Sequence, residues 1–391
     1  MIPRLLLNPI KKAVVSFPII GIVGPRQSGK TTLAKQLFPK YDYVNLEQLD
    51  TRRFATEDPR GFLSRFNNHV ILDEVQRVPD LFSYLQDHVD NRKENGQFIL
   101  TGSQHFLMME SITQSLAGRI GLFNLYPLSY EELHKAGIQE ADVVAQILKG
   151  GYPRLYDQKV SPSLWLSSYI QTYVDRDVSL LSQIENLSAF EKFVHLIAGR
   201  TGQLLNLSSL GGEVGVTHNT IKSWVSLLQT SGIIFLLQPY YANISKRLNK
   251  TPKLYFIDSG LACYLLGIRT KEQLMTHPLY GPLFETFIVS DFMKFFANKG
   301  VDQDIFFWRD QQGTEADIIT MEGNNVSLYE IKSAQTVSTD IFAKLEKIQN
   351  SIPQKSNLNL IYGGEDKQSR TKGNVISWKS LFEHLSDNSQ K

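Results

Sequence analysis

The sequence predicts an α/β protein of several domains, and three observations carry that prediction. The first 125 or so residues alternate short apolar runs with helical segments, the pattern of a parallel, doubly wound sheet. One strand-to-helix junction in that stretch is glycine-rich and closes on Lys30-Thr31. At 391 residues the chain is also longer than one ordinary core supports, so two or three domains are expected.

The apolar run Ile19 to Val23 ends in glycine, as a buried parallel strand should, and a helical pattern follows from Lys30 to Phe38. Further strands are expected at Tyr43–Leu46, His69–Leu72, Phe98–Leu100 and Ile120–Phe123, with helical segments such as Pro79 to Arg92 between them. From Leu128 to Leu180 the pattern turns helical and breaks at Gly150-Gly151-Tyr152-Pro153. A helix at Phe190–Ala198 precedes a short helix, a glycine turn and a longer helix at Thr217–Thr230, where Ile221, Val225 and Leu228 share one face. Two strands, Ile233–Leu237 and Lys253–Ile257, come next, and the whole order reads as a winged helix-turn-helix. The last unit starts with a helix from Pro282 to Phe296. Strands follow at Ile305–Trp308, Ala316–Thr320, Ser327–Lys332 and Leu358–Tyr362, with helices near 340–349 and 379–385.

Gly24-Pro25-Arg26-Gln27-Ser28-Gly29-Lys30-Thr31 matches the phosphate-binding P-loop in full, between a strand and a helix as its mechanics require. Backbone N–H groups of the loop point at phosphates where the helix dipole favours negative charge. Lys30 adds a point charge at the β- and γ-phosphates, the Thr31 hydroxyl ligates magnesium, and Thr32 continues the block. The run His69 to Leu72 ends in Asp73-Glu74, which assigns Asp73 to the magnesium shell and Glu74 to the attacking water. At the end of the next strand, Thr101 or Ser103 is a candidate γ-phosphate sensor; an ordinary strand-end turn is the other reading. Arg119 is the first candidate for stabilising the transferred phosphoryl group and Arg26 the second, and each reads equally as a surface or ion-pair arginine. The Asn249-Lys250 pair runs on into Thr251-Pro252 and makes no guanine-recognition signature, so ATP is the expected nucleotide.

In the middle module, His218, Asn219 and Lys222 would face outward from the second helix, and the wing loop carries Lys246, Arg247, Lys250 and Lys253. Those cations would neutralise DNA phosphates. A packing module between its neighbours is the competing interpretation. Towards the C-terminus, Glu330 and Lys332 are two apart and share a strand face, Asp317 comes from the preceding strand, and Glu285 lies on the upstream helix. Three carboxylates and a lysine around one point would hold a divalent metal and polarise a water for phosphodiester cleavage. Solvated charges on an amphipathic strand are the alternative.

Composition narrows the field. A hydrophobic fraction of 42% and a charged fraction of 20% describe a folded chain, and a net charge of +2 demands neither a nucleic-acid nor a membrane partner. The lone Cys263, in an apolar stretch, excludes an internal disulfide framework and reads as a buried structural thiol. Leu5-Leu6-Leu7 gives way to Asn8-Pro9, too short for a signal peptide, and no run approaches the ~18 apolar residues of a membrane span. A cytoplasmic location with no membrane partner is expected.

Several blocks together resemble a known family: the P-loop through Thr32, Leu72-Asp73-Glu74-Val75-Gln76, Leu100-Thr101-Gly102-Ser103, Ser115-Leu116-Ala117-Gly118-Arg119 and Gly150-Gly151-Tyr152-Pro153. Phe284-Glu285, Glu315-Ala316-Asp317 and Glu330-Ile331-Lys332-Ser333 complete the set. The chain is similar to AAA-superfamily ATPases of archaea and bacteria that end in a restriction-endonuclease-like domain of unknown function. The resemblance implies an α/β multidomain fold: a P-loop parallel-sheet ATPase with a helical lid over 1–185, a winged helix-turn-helix over 186–270, and an α/β restriction-endonuclease-like domain over 271–391. It implies ATP and Mg2+ as cofactors, with a second Mg2+ or Mn2+ in the C-terminal domain. DNA, a protein partner and further copies of the chain are the macromolecular partners expected. The function expected is an ATP-controlled switch acting on DNA; the alternative is a slow ATPase regulator or scaffold whose C-terminal domain binds without cutting.

Overall fold

The computed structural model describes residues 2–103, 114–158, 160–173, 186–240, 251–301, 305–310, 312–322, 325–337, 342–352, 354 and 356–388. By internal contacts the chain divides into two compact units. The first comprises 1–128 with 227–233 and 296–302; the second comprises 129–226, 234–295 and 303–391.

The first unit is built on a five-stranded sheet of β1 (Ile19–Gly24), β2 (Asp42–Asn45), β3 (Val70–Asp73), β4 (Phe98–Ser103) and β5 (Ile120–Asn124), in the order β2-β3-β4-β1-β5. Every pairing is parallel. Side chains alternate across the pleat and fill a core on each face. Ile19, Val23, Leu72, Phe98 and Leu100 pack against Phe62, Leu81, Phe82 and Leu85 on one side. Ile20, Ile22, Ile71 and Ile99 pack with Leu6, Ile10, Leu33 and Ala34 on the other. The covering helices are α1 (Leu7–Ala13), α2 (Lys30–Leu37), α3 (Leu49–Glu57), α4 (Pro59–Arg65) and α5 (Leu81–Arg92). Asn8-Pro9 does not stop α1; it lies in the first turn, where proline removes no helix hydrogen bond. Strand β1 is central and wholly buried, so its C-terminal end opens where the strand order reverses, the usual ligand position in open α/β sheets.

The second unit contains two sheets. A three-stranded antiparallel sheet has the order β6-β8-β7, from β6 (Gln203–Leu204), β7 (Ile234–Leu237) and β8 (Lys253–Phe256). Helices Leu187–Ala198, Leu207–Val214 and His218–Thr230 accompany it, and Gly215 closes the second of these in the left-handed conformation. A six-stranded mixed sheet has the order β13-β14-β12-β11-β10-β9. Its strands are β9 (Ile305–Arg309), β10 (Glu315–Glu322), β11 (Asn325–Lys332), β12 (Ser356–Tyr362), β13 (Gln368–Arg370) and β14 (Gly373–Ser377). Ile319, Leu328, Leu358, Leu360 and Val375 form its core with Leu345 and Ile348 of helix Ala343–Gln349. The pair β13–β14 and the short β6 were not foreseen from the sequence, because their three-, five- and two-residue lengths carry too little periodicity.

The glycine pair Gly150-Gly151 is explained locally. Asp258 caps helix Ser259–Leu265 by accepting from the Leu261 N–H at 2.9 Å, and its second oxygen accepts from the Gly151 N–H at 2.6 Å. A Cβ on Gly150, whose φ is +72°, would lie 2.2 Å from that carboxylate. Cys263 is buried in the same helix, and burial pushes its thiol pKa up, as a structural thiol requires. No helix among the described residues is long and apolar enough to cross a membrane.

Candidate active site

The loop from Gly24 to Gly29 links β1 to α2, and its backbone explains its residues. Gly24 (φ +153°) passes so close to β5 that a Cβ would sit 2.2 Å from the Leu125 carbonyl oxygen. Gly29 caps α2 at φ +97°, and Gln27 also takes a positive φ of 63°. The Lys30 ammonium lies back on the loop, donating to the carbonyls of Gly24 (3.1 Å) and Pro25 (2.9 Å). The Ser28 hydroxyl is fully buried yet has no hydrogen-bond partner in the protein. An orphaned donor in a loop of this kind fits an oxyanion ligand. Arg26 is half-buried in the loop, and Thr32 continues α2.

Asp73, at the end of β3 and 5% exposed, is where the site converges. It accepts from the Thr31 hydroxyl at 3.0 and 3.1 Å through its two oxygens, and from the Thr101 hydroxyl of β4. A third hydroxyl, from Tyr43 on β2, reaches the same carboxylate at 2.6 Å. Burial, followed by the bond to Asp73 and the charges of Asp73, Glu74 and Glu47, pushes the Tyr43 phenol upward, so it remains a donor. The Lys35 ammonium stands 3.4 Å from the Tyr43 ring centroid. A carboxylate and a hydroxyl side by side are the hard oxygen donors a magnesium ion takes, so the residues present fit that ion. Glu74 follows in the left-handed conformation (φ 58°, ψ 45°), and Gln76 Nε2 donates to its carboxylate at 2.6 Å. Ser103 pairs with Gly24 in the β4–β1 register, which puts its backbone level with the start of the loop.

Arg119 is placed elsewhere. It immediately precedes β5, and its carbonyl accepts from the Ile19 N–H at the opposite end of β1 from the loop. Five steps of strand separate those ends, roughly 16 Å. Its guanidinium is engaged by Asp90 in a two-point ion pair at 2.6 and 2.7 Å. Of the two readings of Arg119, the ion-pair arginine is the one seen within a single chain, because strand direction puts it at the end of the sheet away from the loop. Sequence reasoning missed Tyr43, and it also missed Arg4, a buried guanidinium that donates to the Ser28 and Tyr126 carbonyls at 2.7 and 2.6 Å. Arg4 is 24 residues from Ser28 in sequence, so no local pattern could have found it.

In the second unit, His218, Asn219 and Lys222 lie on the exposed face of helix His218–Thr230, opposite Ile221, Trp224, Val225 and Leu228. Lys246, Arg247 and Lys250 lie outside the described residues. Glu285, Asp317, Glu330 and Lys332 do gather. Asp317, 7% exposed, accepts from the Ile331 N–H at 2.7 Å; burial and then the Glu285 and Glu330 carboxylates push its pKa well above the ordinary range. The gathering also corrects one expectation: Lys253, expected among the cations that meet DNA phosphates, is 3% exposed and turned onto carboxylates. Lys253 of β8 donates to Glu285 at 3.1 Å and also pairs with Glu315, while Tyr255 donates to Glu285 at 2.5 Å. Lys332 is 2.6 Å from Glu330, and Lys344 reaches both Glu330 oxygens at 2.9 Å. Among the described residues, no group of three or more Asp, Glu, His or Cys side chains has the spacing to hold a metal ion.

Residues 16–134 match a family model described as an AAA domain. Residues 140–272 and 280–381 match two models described as domains of unknown function (DUF8612 and DUF4143). An uncharacterized protein of Mycobacterium tuberculosis, Rv2008c, is 28% identical over 363 residues, 92% of this chain and 79% of its own length. An uncharacterized protein of Haemophilus influenzae is 22% identical over 187 residues, 44% of this chain and 46% of its own. Among solved structures, the Walker-type ATPase PABY2304 of Pyrococcus abyssi is similar over 66% of this chain and 94% of that one, at 14% identity and a TM-score of 0.45. The region matched by the AAA model contains the loop, Asp73, Glu74 and Thr101. Through this AAA-superfamily domain, the chain is an ATP-binding enzyme of the ATP phosphohydrolase class.

Proposed function

We propose that the chain is a magnesium-dependent ATPase switch whose nucleotide state controls how its remaining two thirds engage DNA. The observation that carries this reading is the convergence of Thr31, Tyr43 and Thr101 on Asp73, beside a P-loop with a buried orphan hydroxyl. In the proposed mechanism the backbone N–H groups of the loop and of the start of α2 (Pro25 has none) cradle the phosphates, and Lys30 leaves the loop carbonyls for the β- and γ-phosphates. A magnesium ion held by Thr31 and Asp73 would neutralise charge on the transferred group. Glu74 orients or deprotonates the attacking water. Its left-handed backbone, which costs a non-glycine residue about 1 kcal/mol, is the kind of strain functional groups carry. Thr101 or Ser103 senses the γ-phosphate. Arg26, within the loop, is the candidate for stabilising the transferred group in its own chain, whereas Arg119 would act on the nucleotide of another copy.

The partner-facing parts of this proposal are a winged helix over 186–270, offering His218, Asn219 and Lys222 to a duplex, and a nuclease-like domain over 271–391. Two uses of the latter are distinct. Metal-dependent cutting by Glu285, Asp317, Glu330 and Lys332 is favoured by their gathering around one point. A slow ATPase regulator with a binding-only C-terminal domain is favoured by the lysines already paired to those carboxylates. We adopt the second use.

The test is steady-state ATP turnover by wild type, Lys30→Ala and Glu74→Gln, with nucleotide binding measured in parallel and duplex DNA added or withheld. Lys30→Ala should lose binding, and Glu74→Gln should keep binding while turnover falls 100-fold or so, the scale of a lost general base. Full turnover in Glu74→Gln would remove its assignment, and a DNA-independent rate and affinity would remove the switch on DNA.

A further inference from the structure

The carboxylates of the C-terminal cluster come with cations of their own. Glu285 and Glu315 share Lys253; Glu315 is also paired with Arg309 at 2.9 Å; Glu330 is held by Lys332 and Lys344. Four acids (Glu285, Glu315, Asp317 and Glu330) thus meet four bases. Lys253 is the most deeply set of the bases, with only 3% of its surface exposed. Its ammonium donates to Glu285 at 3.1 Å and also pairs with Glu315. Strand β8 delivers it: Lys253 pairs with Leu237 of β7 and Leu204 of β6, which fixes the direction of its side chain from the three-stranded sheet.

A divalent metal on Glu285 and Asp317 is what a restriction-endonuclease-like domain implies, and the residues present do not fit one. A dication between these carboxylates would stand beside a buried ammonium with little solvent to screen the repulsion. The geometry points to Lys253 as a built-in cation: it takes the place of the metal among Glu285, Glu315 and Asp317, and the cluster ties β8 to helix Tyr280–Lys299 and β10 instead of cutting DNA. This goes beyond the ATPase reading and does not depend on it, since a lysine can replace the metal whether or not the P-loop turns over.

The experiment is Mn2+ binding to the full-length, nucleotide-free chain, followed by paramagnetic resonance of the free ion and by thermal unfolding. An Asp73→Asn background removes the P-loop contribution. In that background the chain with Lys253 intact should bind no Mn2+ that Asp317→Asn abolishes. Lys253→Met should unfold at lower temperature, gain one equivalent of Mn2+ per chain, recover thermal stability as the ion is added, and lose both effects when Asp317→Asn is combined with it. Lys253→Arg should retain the charge and gain no site. An equivalent of Mn2+ bound with Lys253 in place and lost in Asp317→Asn would overturn the inference. So would a folded Lys253→Met that gains no metal, because the cluster would then not be a cation seat. If Lys253→Met does not fold, the comparison with Lys253 intact, with and without Asp317→Asn, decides the question alone.

Discussion

Removing the Tyr43 hydroxyl should weaken metal use by the ATPase site while leaving nucleotide contact intact. The phenol donates to Asp73 at 2.6 Å, one of three hydroxyls on that carboxylate. A hydrogen bond to a charged group contributes about 1.5–3 kcal/mol, and Tyr43 is 38% exposed, so water can replace part of it. Discounted for that exposure, about 1–1.5 kcal/mol is left, which corresponds to roughly a five- to tenfold change in an equilibrium constant. In Tyr43→Phe, the Mg2+ concentration that half-saturates ATP turnover should rise by about that factor, because Asp73 loses the donor that fixes its orientation. The rate at saturating Mg2+ should stay within about threefold, since Thr31, Thr101 and Glu74 are untouched. Metal-free nucleotide binding should not change, because Lys30 and the loop N–H groups supply it. The assay is turnover against free Mg2+ at fixed ATP, with fluorescent-nucleotide binding in chelator alongside. An unchanged half-saturation point would refute the role given to Tyr43; a rate loss that no Mg2+ concentration restores would show that the hydroxyl serves the chemical step instead.

Two further outcomes concern stability. His384, buried beside Tyr329, is held by burial and the Lys367 charge down at about 4. The unfolded chain takes its proton near 6.5 and the folded one does not, so the fold loses up to about 3 kcal/mol as pH falls from 6.5 to 4. Urea titrations of wild type and His384→Phe should run parallel above about pH 6.5 and diverge below it, wild type losing stability that the variant keeps; curves that stay parallel down to about pH 4 would refute the assignment. Asp258→Ala deletes a helix cap and orphans the buried N–H groups of Leu261 and Gly151, so it should lower stability by about 2–4 kcal/mol in denaturant unfolding. A loss below about 0.5 kcal/mol would contradict the capping account of Gly150-Gly151.

What the sequence determined by itself was local. The P-loop could be read because its glycines, Lys30 and Thr31 act within eight consecutive residues, and because backbone conformation there is set by residue type. Asp73-Glu74 could be read because an apolar strand necessarily ends at the edge where its carboxylates emerge. Strands were legible as continuous apolar runs in β1, β3 and β4, which are buried on both faces, and illegible in β13 and β14, which are short and partly exposed. Only the tertiary structure decided which distant groups meet. Tyr43 reaches Asp73 because β2 pairs with β3 in a register that no single strand encodes. Arg119 read equally as a phosphoryl-stabilising or an ion-pair arginine in the sequence, and parallel pairing of β1 with β5 carries it to the end of the sheet where Asp90 holds it. Lys253 and Glu285 are 32 residues apart. Spacing on a strand could suggest a metal among Glu285, Asp317 and Glu330; it could not foretell the lysine that a different sheet delivers into their midst, because charge compensation is a property of the folded contact and not of either segment alone.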